Sequence, residues 1–132
     1  MMKHILILII ICFLESCSDS DVYTKIGMVE IEKERSIPDT VIYNEQVQIK
    51  IKASATNRCW SDLYVEFKET DQFKYSLEAY GTYTCREGGC LCAAAMLYMD
   101  TVIIFQPPQK GTYLFNISET RDRIVIDTLT VK

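Results

Sequence analysis

The chain has 132 residues, with 14 basic and 18 acidic side chains and a formal net charge of −4. That balance builds no phosphate-binding surface, which sets nucleic acid aside as a partner. The single histidine, His4, lies in the opening apolar segment, so the chain beyond residue 16 offers none for a Ser-His-Asp triad, a Cys-His dyad or a histidine-ligated metal.

In chain order, Lys3 is followed by an uninterrupted run of ten apolar residues from Ile5 to Leu14. A run of that length fits the hydrophobic region of a signal peptide, because a membrane-spanning helix needs about 20 residues. It closes on Leu14-Glu15-Ser16-Cys17, which resembles the lipobox of bacterial lipoproteins: an aliphatic residue three before the cysteine and a small one directly before it. Glu15 stands where that family usually carries a small uncharged residue. The resemblance implies that residues 1–16 are a signal peptide, that Cys17 becomes the lipid-bearing N-terminus, and that the membrane is a partner through this anchor. Ser18, in place of an aspartate, implies the outer membrane of the cell envelope. Secretion without the lipid and an uncleaved anchor are the rival readings. Outside the cytoplasm thiols are oxidised. Residues 17–24, with Ser18-Asp19-Ser20-Asp21, read as the lipidated cysteine and a polar tether. Such a tether extends about 28 Å at most, so the remaining domain, 25–132, is held close to its membrane.

Past the tether, apolar residues recur with period two and are rich in Val, Ile, Tyr, Phe and Thr, the pattern of half-buried strands. A first strand around Ile26–Ile31 has no clear facing, and Pro38-Asp39 breaks the run as at an edge strand. Val47, Ile49, Ile51 and Ala53 alternate with polar residues and predict one inward face. Leu63, Val65 and Phe67 repeat the pattern, and a longer strand runs from Phe73 to Cys85. Arg86-Glu87-Gly88-Gly89 is a turn. Cys90–Met99 is read as strand, although Ala93-Ala94-Ala95 permits a helical turn. Val102–Phe105, Tyr113–Ile117 and Ile124–Val131 complete seven or eight strands, with Val102 and Ile104 expected inside.

Phe105-Gln106-Pro107-Pro108-Gln109-Lys110-Gly111-Thr112-Tyr113 resembles the corner between strands E and F of immunoglobulin-like domains, with Tyr113 as the corner tyrosine whose hydroxyl bonds back to the chain. The resemblance implies a single immunoglobulin-like Greek-key β-sandwich over 25–132. Phe115 occupies the position of the second cysteine in antibody domains, so the inter-sheet disulfide of that family is missing here. The fold by itself assigns no function.

Four cysteines remain beyond Cys17: Cys59, Cys85, Cys90 and Cys92. They allow three fully paired connectivities. Cys85 and Cys90 bracket the glycine turn and are placed to bridge across it, which leaves Cys59 for Cys92. In a sandwich, the loops carrying these residues emerge at one end. A four-thiolate metal site is the alternative, but its spacing lacks the paired Cys-x-x-Cys knuckles of structural zinc.

The expected function is non-catalytic: no residue constellation suggests an enzyme, and no cofactor or metal is implied. Loops stiffened by disulfides suit recognition, and the surface expected to bind consists of Asn57, Arg58, Trp60, Arg86 and Glu87, against an envelope protein partner. Glu119, Arg121, Asp122 and Arg123 should lie at the same end. The alternative readings are a passive structural envelope lipoprotein and a metal-binding cysteine cluster.

Overall fold

The computed structural model describes residues 21–132. The expected signal peptide, Cys17 and the first part of the expected tether lie outside the described residues. Among the described residues all regular structure is β: β1 (Val22–Ile31), β2 (Thr40–Val41), β3 (Val47–Ala55), β4 (Trp60–Asp71), β5 (Lys74–Arg86), β6 (Leu97–Phe105), β7 (Gly111–Thr120) and β8 (Arg123–Val131). The first strand begins at Val22, so the end of the expected tether is already part of the sheet.

The strands form one curled sheet in the order β2-β8-β7-β5-β1-β3-β6, with β4 on β5. The long β5 is the axle. Along one edge it pairs antiparallel with β4 from Trp60↔Tyr83 to Asp71↔Lys74. Its other edge is shared: Lys74–Leu77 runs parallel to Leu114–Ile117 of β7, and Ala79–Arg86 pairs antiparallel with Val22–Val29 of β1. At Glu30 and Ile31, β1 passes over to Ser54 and Ala53 of β3. This crossing lets the β3–β6 ladder fold back over the rest. β5 thus stands between β7, to which it runs parallel, and β4 on its far edge.

The curl closes on an aromatic core. Phe105 of β6 meets Tyr75, Tyr113, Phe67 and Phe115 at centroid separations of 5.0, 5.5, 5.6 and 5.8 Å. These are the offset and edge-on spacings that aromatic rings prefer. Val47, Ile49, Ile51, Phe115 and Leu129 are buried as the alternation predicts, and Val65 is partly buried. Tyr113 is buried, and its hydroxyl donates to the Gln109 carbonyl at 2.7 Å and accepts from the Gln109 amide at 3.2 Å.

Two expectations fail. Val102 and Ile104 are 50% and 53% exposed. Cross-strand partners share a face, and the register sets Phe105, Ile103 and Thr101 opposite the buried Val47, Ile49 and Ile51. Their neighbours Val102 and Ile104 therefore point out. Cys90–Met96 is also not strand; β6 starts only at Leu97. Disulfides anchor this segment at Cys90 and Cys92, and the Ala93 carbonyl accepts from the Arg58 amide at 3.0 Å.

Candidate functional site

The two disulfides gather the chain at one end of the sheet. Cys59, just before β4, is bridged to Cys92, and Cys85, near the end of β5, to Cys90, with Cα separations of 5.2 and 5.3 Å. Both fall in the range a bridge requires. All four sulfurs are used by this pairing, whereas a four-thiolate metal site needs all of them free.

Trp60 opens β4 beside Cys59, on the inward-facing side of β5 with Tyr83 and Gly81. Its ring meets Tyr83 edge-on at 5.2 Å. The indole also lies against Gly27 and Gly81, which are cross-strand partners on β1 and β5. A Cβ on Gly27 would stand 2.9 Å from the Trp60 ring, and one on Gly81 would stand 2.6 Å from Leu63 and 3.2 Å from Trp60. Both are closer than van der Waals contact, so two glycines facing each other form the seat for a single large ring. Trp60 thus extends the core toward the disulfide end and remains half-exposed.

The half-exposed side opens into a groove of about 350 Å³ lined by Tyr23, Lys25, Trp60, Tyr83 and Arg121, among others. The Lys25 ammonium stands 5.4 Å from the Tyr83 ring centroid, within cation–π reach. Arg121 arrives from the tight connection between β7 and β8. The groove therefore presents aromatic surface flanked by two cations. The Tyr83 hydroxyl lies 3.7 Å from Cys92 Sγ, linking this wall to the Cys59–Cys92 staple. A second groove, of about 490 Å³, shares no lining residue with it and is lined by Val22, Cys59, Thr84, Cys85, Arg86 and Leu91, among others.

The five residues expected to bind are distributed rather than merged. Trp60 lines the first groove and Arg86 the second. Arg58 and Glu87 are exposed at the same end. Asn57 turns inward on its own loop, its Oδ1 accepting from the Cys59 amide at 3.0 Å, a local turn typical of Asn. Tyr23, Lys25 and Tyr83 join Trp60 through strand pairing, and Arg121 reaches it from the β7–β8 turn. Only Arg121 had a signal in the sequence, as part of a charged turn at this end.

A separate polar cluster went unread. Arg35, between β1 and β2, donates to Glu119 Oε1 at 2.7 Å and to Asp127 Oδ2 at 2.9 Å, and Arg123 approaches Glu119 Oε2 at 2.9 Å. Glu119 is 5% exposed. Burial works to lower the Arg35 pKa, but the bonds to Asp127 and Glu119 outweigh it and leave the value raised. The Arg35 hydrogen bond holds the Glu119 carboxyl below its ordinary range. Elsewhere, Tyr80 donates to Glu78 at 2.6 Å, and this bond pushes its pKa up to about 12. Burial raises Tyr75, and the hydrogen bond from Lys68 to Glu66 raises Lys68. These shifted groups lie outside both grooves; hydrogen-bond partners account for Arg35, Glu119, Tyr80 and Lys68, and burial for Tyr75.

No protein-family model matches the chain, and neither a curated protein nor a solved structure does.

Proposed function

We propose that the protein is a lipid-anchored, non-catalytic recognition module of a bacterial cell envelope, built on one immunoglobulin-like sandwich, and that it binds a partner through the Trp60 groove. The observation that carries this reading is the pair of cations, Lys25 and Arg121, flanking Trp60 and Tyr83 on a frame held by two disulfides. Such a groove suits an anionic group on a neighbouring envelope component. Because its walls are strands β1, β4 and β5 and the tight β7–β8 turn, little backbone ordering is needed on binding. The Tyr113 corner and the parallel β2–β8 pair support the immunoglobulin-like reading; the place of β5 beside β7 is its departure. The Leu14-Glu15-Ser16-Cys17 run supports the anchor.

Two measurements test this reading. Intact mass spectrometry of membrane fractions should show loss of residues 1–16 and a lipid on Cys17, and Cys17→Ala should release the protein. A photo-crosslinking residue at Arg121 in living cells should give one discrete adduct that Lys25→Glu abolishes, while the same probe at the exposed Ile126 gives none. Adducts equal at both positions, or absent from both, would favour the passive structural component.

A further inference from the structure

Leu91 is fully exposed, at 102% of its reference area. A single exposed leucine needs no explanation on most surfaces, but this one is pinned. It sits between Cys90 and Cys92, each bonded to a different part of the sheet, so the side chain is held outward on a loop with little freedom to fold it away. Val22, 54% exposed, lines the same groove, as does Arg86. The Arg58 guanidinium side chain is exposed nearby, on the loop bonded to Ala93.

The path of the chain identifies what faces this tip. The Glu87 amide donates to the Asp21 carbonyl at 2.8 Å, and Val22 pairs with Arg86, so the chain joins the sheet directly beside the stapled loop. From Cys17 to Asp21 the backbone spans about 14 Å at full extension. A lipid on Cys17 would thus hold this end of the sheet within about 14 Å of the anchored residue. The tip carries Arg58 and Arg86 together with the exposed Asp21 and Glu87, a mixed-charge rim around a fixed aliphatic side chain; the apolar atoms would enter the acyl boundary while the arginines reach the phosphates.

We propose that the Leu91 loop docks on the lipid surface that holds the anchor, giving the domain a fixed orientation on its membrane. This inference rests on the lipidation of Cys17 set out above. Docking makes the anchor a two-point attachment, since one chain and one shallow apolar contact together bind more firmly than either alone.

The test uses the full protein purified from membranes, with Leu91→Trp beside the natural Trp60. It is reconstituted into vesicles of phosphatidylethanolamine and phosphatidylglycerol with brominated acyl chains, and mass spectrometry establishes the state of Cys17. Leu91 is fully exposed, so the substitution disturbs no buried packing. The expected result is a blue-shifted emission component that bromine quenches and that wild type lacks. Adding Arg58→Glu and Arg86→Glu should reduce the quenching. A lipidated protein whose position-91 signal stays unshifted and unquenched overturns the docking and leaves the anchor standing. A chain without lipid on Cys17 overturns the anchor and the docking together. A photo-crosslinker at position 91 that captures a protein in cells overturns the lipid assignment.

Discussion

The Tyr113 hydroxyl donates to the Gln109 carbonyl and accepts from the Gln109 amide, so Tyr113→Phe removes two partly buried hydrogen bonds at once. The expected cost is about 1–2 kcal/mol, read as a lower urea midpoint with an unchanged slope. This residue is legible in the sequence because a Gly, a corner and an aromatic residue at fixed spacing form a local motif. Glu119, on the same strand, is not. Alternation from Tyr113, Phe115 and Ile117 carries Glu119 inward, but its charge beside Arg121, Asp122 and Arg123 reads as part of a solvated turn; the register slips between Ser118 and Thr120, and Ser118 is buried against the alternation. A bulge has no alphabet of its own. The partner Arg35 comes from a distant loop and is equally silent. Because the folded-state pKa of Glu119 is lowered, its stabilising contribution is complete above the ordinary carboxylate value of 4.5 and is lost as pH falls through the lowered value. Glu119→Gln should therefore be less stable than wild type at neutral pH, and the gap should close on acidification. Denaturation curves at a series of pH values check both statements.

At the scale of the element, β6 shows how a correct strand can be read with the wrong face. Val102-Ile103-Ile104-Phe105 is apolar at every position, so composition cannot choose between its two faces, and a one-residue error inverts the whole strand. The choice is made by pairing: Val47 meets Phe105, and the clean alternation of β3 then decides which residues of β6 point in. Where alternation was unambiguous, as at Val47, Ile49 and Ile51, the sequence sufficed. Val102→Thr together with Ile104→Thr should change stability within about 0.5 kcal/mol per site. Ile49→Ala, on the buried side of the same ladder, should cost about 2–5 kcal/mol. A large loss from the Val102 and Ile104 changes would restore the inverted strand. The same logic explains why the Trp60 groove was only partly legible. Trp60 and Arg121 drew attention as residue types, but Tyr23, Lys25 and Tyr83 reach them only through the β1–β5 and β4–β5 registers. The glycine seat was invisible for the same reason, because Gly27 and Gly81 meet only across strands. Gly81→Ala, with Leu63 2.6 Å from the new methyl, should cost about 1–3 kcal/mol by overpacking.

Across the whole molecule, stability and binding geometry are divided between two ends of one sheet. The aromatic core around Phe105 holds the curl shut, while the disulfides hold the end where the chain enters. The bridges close loops of very different length, with sequence separations of 33 and 5. In the chain-entropy account, stabilisation grows with the logarithm of loop length. On that scale Cys59–Cys92 contributes about 4 kcal/mol and Cys85–Cys90 about 2 kcal/mol. The longer bridge ties the start of β4 to the segment before β6, across the two parts of the curled sheet; the shorter one only shapes a turn on β5. Paired replacement of Cys59 and Cys92 by serine should therefore lower the melting temperature well below that of the Cys85 and Cys90 double variant. It should also loosen the Tyr83 wall and weaken crosslinking from Arg121. Removing Cys85–Cys90 should instead leave the Trp60 groove working and free the Leu91 loop, so that adduct formation at Arg121 persists while bromine quenching at position 91 falls. Equal losses in both variants would mean that the two grooves act as one surface and that the division between membrane contact and recognition is wrong.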